Sequence, residues 1–193
     1  MKIGVLAAQG AFAEHLAVLR KLKVDTVAVR LPEELNGLNG LIIPGGESTT
    51  ISKLMITYEL SFRIQERAKK GMAVFGTCAG MILLAKEIAD ADGVVPLGLM
   101  DITVRRNAFG RQVDSFETDL AIPVLGDKPF PAVFIRAPVI EEVRNGAEVL
   151  AKLDDGTAVA VRQNKFLALA FHPELTDDLR FHQYFLDIVA GRS

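Results

Sequence analysis

An α/β fold in three layers, with a mostly parallel central sheet and an added antiparallel portion, is predicted by three features of this sequence. Short apolar runs alternate with helix-period segments through the first half, in the order β-α-β-β-α-β-α. Closely spaced strand-like runs fill the second half. One connection there, Asp154-Asp155-Gly156, is a hairpin signal.

IGVLAA (3–8) is short and wholly apolar, as suits a strand buried on both faces. Residues 11–22 place Phe12, Leu16, Leu19 and Leu22 at helical spacing. DTVAVRL (25–31) and GLIIPGG (40–46) read as the second and third strands. Ser48 to Lys70 reads as one helix, with Ile51, Leu54, Met55 and Leu60 on one side and Gly71 as its stop. AVFGTC (73–78) is the fourth strand, and AGMILLAKEI (79–88) a helix directly after it. This alternation is that of a Rossmann-like sandwich, with helices on both faces of parallel strands. DITVRRN (101–107), AVFIRA (132–137), AEVLAKL (147–153), TAVAVRQ (157–163) and FLALAFH (166–172) follow as strands. A helix from about Asp178 to Val189 closes the order.

The 193 residues fit one domain spanning 1–193. Such a chain buries about 70% of its unfolded surface, so it needs no disulfide or structural metal. Half the residues are hydrophobic and the net charge is −2, which gives no electrostatic footprint for nucleic acid. No run approaches the ~20 apolar residues of a membrane span. The single cysteine can form neither an internal disulfide nor a cysteine-rich zinc site, and a reducing, cytoplasmic setting is expected.

That cysteine, Cys78, stands in FGTCAG (75–80), where a strand turns into a helix. A nucleophile elbow has this form: the reactive residue takes a strained backbone conformation, and its neighbours must be small. Gly76, Thr77, Ala79 and Gly80 meet that demand. A cysteine that only packs needs neither glycine. Of the three histidines, His182 falls on the last helix, on its surface or against the sheet, and His15 falls early in the first helix, in an exposed or capping place. His172 emerges at a strand end, and Glu174 follows two residues later across Pro173. In an extended segment, side chains at i and i+2 share a side, so Glu174 can orient the His172 ring. An ordinary turn with a capping glutamate is the competing reading of H-P-E. PGGEST (44–49) offers backbone N–H groups to a developing oxyanion, or is merely a strand-to-helix turn with a serine cap. No G-K-[ST] follows, which argues against a phosphate loop. In open α/β sheets chemistry lies at the carboxyl ends of the strands, which would bring PGGEST, GTCAG and HPEL together.

These pieces, in this order, resemble the class I, triad-type glutamine amidotransferases. VLAAQGAFAEH, IPGGESTT, FGTCAGMILLAKEI, RRNAFGRQVDSFE, FIRAP and FHPEL extend the likeness over the whole chain, to the glutaminase subunits of pyridoxal phosphate synthase. RNAFGRQVDSFE separates it from the glutaminases of histidine biosynthesis, which share the elbow and H-P-E. The resemblance implies hydrolysis of L-glutamine by Cys78 as nucleophile, His172 as base and Glu174 as orienter. It implies an oxyanion hole at Gly46 and Ala79. Glutamine-binding positions fall on Gly46, Glu47, Ser48, Arg106, Ile135 and Arg136, and partner-responsive positions on Gln9 and Gly10. It also implies that the ammonia is channelled to a synthase subunit in a multi-subunit complex that makes pyridoxal phosphate. No cofactor of its own, no metal, no nucleic acid and no membrane are expected. One departure is Arg105, where the family's pattern has an acidic residue, which leaves open which arginine faces the ligand. Two rival readings are a glutaminase serving another synthase and a thiol redox sensor or binding module of the same fold.

Overall fold

The computed structural model describes residues 1–106 and 115–193. Of RRNAFGRQVDSFE, residues 107–114 therefore lie outside the described residues. The first half comprises β1 (Lys2–Leu6), α1 (Phe12–Lys21), β2 (Asp25–Val29), β3 (Gly40–Ile43), α2 (Ser48–Thr57), α3 (Leu60–Lys69), β4 (Ala73–Thr77) and α4 (Ala79–Leu84). The second half comprises β5 (Ala85–Ile88), β6 (Met100–Arg105), β7 (Ser115–Leu120), β8 (Phe130–Ile135), β9 (Val139–Val143), β10 (Glu148–Lys152), β11 (Ala158–Gln163), β12 (Phe166–Leu169) and α5 (Arg180–Ala190).

Among the described residues, one large sheet runs β2-β1-β3-β4-β12-β11-β9-β6-β5, with β10 also pairing β11. The block β2-β1-β3-β4-β12 is parallel throughout. Antiparallel pairing begins at β11 and continues through β9 to β6. The predicted class is therefore observed, and Asp154-Asp155-Gly156 does join an antiparallel pair, β10 and β11. The apolar runs are the strands buried on both faces: every residue of β3 and β4 is buried. Each fully buried Val, Leu, Ile or Phe there contributes about 1.5–3 kcal/mol.

Strand alternation in β4 distributes the layers. Phe75 packs against His15 of α1 and against His182 and Phe185 of α5. Gly76 faces the other way: a Cβ there would lie 2.5 Å from the Gly80 carbonyl of α4. So α1 and α5 cover one face and α4 the other. Thr77 returns to the α1 face, with its Oγ1 3.2 Å from His15 Nε2.

Several elements depart from expectation. The helix expected over 48–70 is two helices, because Glu59 adopts a left-handed conformation (φ 58°). Buried Ile51 and Met55 are four apart, as are Leu60, Ile64 and Ala68, but Met55 to Leu60 is five. That extra residue cannot be absorbed in one helical stripe and is taken up at Glu59. The helix expected over 79–88 stops at Leu84, and Ala85–Ile88 pairs with β6 as a strand. Lys86 and Glu87 there bond Asp101 and Arg144, tertiary contacts that override helix propensity. The strands β7 and β9 are additional. β8, expected as a sheet strand, instead pairs β7 in a separate two-stranded sheet. Phe130 of β8 packs on Phe181 of α5 with ring centroids 4.8 Å apart, which pins this small sheet above the carboxyl end of β12.

Candidate active site

The carboxyl ends of β1, β3, β4 and β12 are adjacent, so their four following loops converge. At the end of β4 the chain reverses into α4 through Cys78, whose backbone is at φ 50°, ψ −106°. This conformation is costly for a residue with a Cβ, and it is fixed from both sides. The Cys78 N–H donates to the Leu169 carbonyl at 2.8 Å, continuing the β4–β12 ladder, and the Cys78 carbonyl accepts the Ile82 N–H of α4. Gly80 is required at the elbow because a Cβ would lie 2.0 Å from the Ile43 carbonyl oxygen. The sulfur points to the Ile135 carbonyl, 3.9 Å away.

His172 enters from the β12 side, its N–H donating to the Val133 carbonyl of β8 at 2.8 Å. Its Nδ1 lies 2.7 Å from Glu174 Oε1. The segment is a 3-10 turn over Pro173–Leu175, not the extended stretch expected, yet Glu174 still reaches the ring. Burial works against a charge on His172. The bonds to Cys78 and Glu174 outweigh it and raise His172 from 6.5 to about 10. Burial also works against the Glu174 carboxylate, but the His15 and His172 imidazoles facing it hold it below its ordinary value. The surroundings of His172 thus favour its protonated form, with Glu174 on its Nδ1 side.

Cys78 and His172 open into a cavity of about 440 Å³, within the usual range for small-molecule sites. Gln9, Gly46, Glu47, Ser48, Ala79, Arg106, Ile135 and Arg136 line it, together with Ile82, which the sequence did not single out. Glu174 stands behind His172, and Gly10 behind Gly46. A larger concavity along β9 and β10, about 660 Å³, contains neither a thiol nor a histidine. The Glu47 carboxylate caps α2, accepting the N–H groups of Thr49 and Thr50 and the Thr50 hydroxyl. These bonds, the Thr50 hydroxyl foremost, lower its pKa to about 2. The cap is therefore Glu47, not Ser48. Gln9 reaches across to accept the Glu47 N–H at 2.8 Å. The Gly45 carbonyl accepts the Ala11 N–H at 3.0 Å, so the loops after β1 and β3 are stitched together.

The two arginines divide. Arg105 pairs with Glu141 of β9 on the exposed surface. Arg106 turns into the cavity, tethered through its own N–H to Asp90 and through its guanidinium to the Ala91 carbonyl. Arg136 is exposed at the rim with φ 41°.

Residues 5–190 match the model of the SNO glutamine amidotransferase family. The chain belongs to that family. A relative from Herpetosiphon aurantiacus, described as pyridoxal 5'-phosphate synthase subunit PdxT, is 63% identical over 190 residues, 97% of this chain and 100% of that protein. A second of the same description, from Dehalococcoides mccartyi, is 61% identical and covers 97% of both chains. A solved structure described as that of a glutamine amidotransferase is 50% identical, with a TM-score of 0.92 over 97% of this chain and 98% of the other.

In this SNO-family chain His182 packs against Phe75 of the sheet, one of the two places expected for it, but His15 is not where sequence reasoning put it. His15 and His182 are both fully buried. His15 Nδ1 lies 2.9 Å from His182 Nε2, and His15 Nε2 lies 3.4 Å from Glu174 Oε2. The expected exposed or capping place for His15 fails because α1 packs against the end of β4. A histidine four residues into an amphipathic helix carries no mark of this. Among the described residues no group of three His, Cys, Asp or Glu is arranged to hold a metal, and no helix is long and apolar enough to cross a membrane.

Proposed function

We propose that this chain is the glutaminase subunit of a pyridoxal 5'-phosphate synthase. It hydrolyses L-glutamine to glutamate and ammonia and passes the ammonia to a synthase subunit within a complex. The observation that carries the chemistry is Cys78, on a strained elbow, sharing one cavity with a His172 whose Nδ1 is 2.7 Å from Glu174. The relatives described as pyridoxal 5'-phosphate synthase subunits, identical at 61–63% of positions, support the choice of synthase.

In this reading Cys78, as thiolate, attacks the side-chain amide carbon. The C–S bond forms as the carbonyl π bond opens, and the N–H groups of Gly46 and Ala79 receive the oxyanion. His172 gives its proton to the leaving nitrogen, the C–N bond breaks, and ammonia departs from a thioester. Neutral His172 then takes a proton from water, whose oxygen attacks the thioester. Glutamate leaves and the thiolate returns. Arg106 and Arg136 hold the free amino acid, with a guanidinium on its α-carboxylate. Glu47, Ser48 and Ile135 shape the remaining wall. Gln9 and Gly10, bonded or packed against the Gly45–Glu47 loop, relay the partner's docking to the oxyanion hole. The whole of 1–193 acts as one glutaminase domain, in the reducing cytoplasm that a lone nucleophilic thiol requires.

The test is a glutaminase assay with and without the cognate synthase subunit. Turnover should be weak alone, strong in the complex, and abolished by Cys78→Ser with the fold intact. A diazo-ketone glutamine analogue should label Cys78. Absence of turnover with any partner, together with reversible oxidation of Cys78, would instead favour a redox sensor.

A further inference from the structure

The three histidines of the chain lie in one buried line that begins with His172 in the cavity wall and runs back through Glu174 to His15 and His182. His172 contacts Glu174 through Oε1. The other carboxylate oxygen, Oε2, is buried and has no hydrogen-bond partner among the described residues. The group facing it is His15 Nε2, 3.4 Å away, which also faces Thr77 Oγ1 at 3.2 Å. Behind His15, its Nδ1 meets His182 Nε2 at 2.9 Å, and His182 Nδ1 has no partner among the described residues. Neither His15 nor His182 lines the glutamine cavity, so neither is explained by substrate contact.

The protons in this line can be assigned. Burial, the largest influence, lowers His15 against the pull of Glu174, with His172 lowering it further and Glu14 opposing. Burial and then His15 lower His182 well below its usual value. Burial thus favours the neutral form of both rings, in which each carries one N–H. If His15 carried it on Nδ1, its bare Nε2 would face a carboxylate oxygen, and His182 would be left with a buried, orphaned Nδ1–H. If His15 carries it on Nε2, that N–H faces Glu174 Oε2 and Thr77 Oγ1. His182 then donates its Nε2–H to His15 Nδ1, and only a bare lone pair remains unpaired at the far end. The second arrangement turns a donor, not a lone pair, toward the carboxylate and leaves no orphaned N–H on either ring, the Thr77 hydroxyl giving up its own donation to His15 Nε2.

We propose that His15, held in its Nε2–H tautomer by His182, is a positioning residue for Glu174. It presents a proton to the otherwise unpaired carboxylate oxygen and fixes the carboxylate plane that orients His172. The inference rests on the triad reading above and adds two residues to it, one from α1 and one from α5. It explains why two polar rings are buried completely between those helices and the end of β4. Thr77, sharing the same proton, ties this line to the strand residue immediately before the nucleophile.

The experiment measures kcat and KM for glutamine in the assembled complex, with thermal unfolding as the control on folding. His15→Leu removes the donor at similar bulk. His15→Gln keeps an amide N–H at the reach of Nε2. His182→Phe keeps an aromatic ring but releases the tautomer of His15. The expected result is a fall in kcat of about 10- to 150-fold for His15→Leu, the range for a lost hydrogen bond to a charged group. KM should be unchanged, His15→Gln should recover most of kcat, and His182→Phe should fall between. A kcat for His15→Leu within twofold of wild type overturns the proposal. So does a His15→Gln variant as slow as His15→Leu, which would mean that the ring only packs. Should His15→Leu not fold, His182→Phe decides: an unchanged kcat overturns the proposal, and a lowered kcat at constant KM supports it. A wild-type complex without glutaminase activity would defeat the functional reading itself, which is a separate outcome.

Discussion

Gly45→Ala is the sharpest perturbation that the site offers, because one methyl group would press on both His172 and Cys78, the proposed base and nucleophile. A Cβ at Gly45 would lie 2.3 Å from His172 Cε1, 3.0 Å from His172 Nδ1 and 3.3 Å from Cys78 Cβ. The backbone of Gly45 is not left-handed, so the cost lies in the contact and not in φ. Reaching even 3.0 Å from Cε1 requires an opening of about 0.7 Å. The His172 ring cannot retreat freely, since its Nδ1 is held 2.7 Å from Glu174 and the residue's backbone N–H donates to the Val133 carbonyl. Either the ring tilts and lengthens that bond, or the β3 loop moves away and pulls on the Gly45–Ala11 hydrogen bond. A displacement near 1 Å at reacting groups costs about 10²-fold in rate, or about 2.7 kcal/mol of barrier. Overpacking a filled site costs about 1–3 kcal/mol of stability. We therefore expect kcat of the complex to fall about 100-fold, with a thermal midpoint lowered by only several degrees and slower labelling of Cys78 by the diazo-ketone analogue. A variant with kcat within twofold of wild type would refute the reasoning, since it would mean that the ring position is not limiting.

Other perturbations follow from the same geometry. Arg106→Ala should raise KM for glutamine by an amount equivalent to about 1.5–3 kcal/mol with kcat little changed, whereas Arg105→Ala, which loses only its surface pair with Glu141, should leave both constants near wild type. His172→Ala should lower kcat further than Glu174→Ala, because His172 moves the protons and Glu174 orients it; steady-state comparison of the two in the complex checks the order, and the reverse would remove His172 from the role of base. Glu47 is lowered from 4.5 to about 2 in the folded protein, so its stabilising effect is present above pH 4.5 and is lost as pH falls through 2. Denaturant titrations of wild type and Glu47→Gln should therefore differ most above pH 4.5 and converge toward pH 2, and a gap that widened in acid would contradict the capping assignment.

The features that the sequence made legible are those in which a local pattern and the global fold agree. The parallel block could be read because its central strands are short apolar runs buried along their whole length, as GLII is in β3 and AVFGT in β4. The elbow was legible because only small residues survive beside Cys78, a demand that the structure expresses as a 2.0 Å approach of a Gly80 Cβ to the Ile43 carbonyl. Elements whose identity depends on distant partners were not legible. AKEI has no strand periodicity, and it extends because it pairs with β6, a partner distant from any local pattern, with Lys86 and Glu87 also meeting Asp101 and Arg144. β8 looked like one more sheet strand, but its neighbour is β7, and the result is a flap that carries Ile135 and Arg136 to the cavity.

The histidines show the same limit at the level of single side chains. His172 announces itself because its context, a strand end followed by Pro173 and Glu174, is local. The importance of His15 and His182 is created only by packing: α1 and α5 are separated by most of the chain, and their rings meet at 2.9 Å because both helices cover the same face of β4. Thr77 faces that side of the sheet, while Cys78, one residue later, turns toward the cavity. The alternation of a single strand thus places Cys78, the proposed nucleophile, at the cavity and the support of the proposed triad behind it. A substitution on either helix that repacks Phe75 should reach Glu174 before it reaches glutamine, and so change kcat before KM.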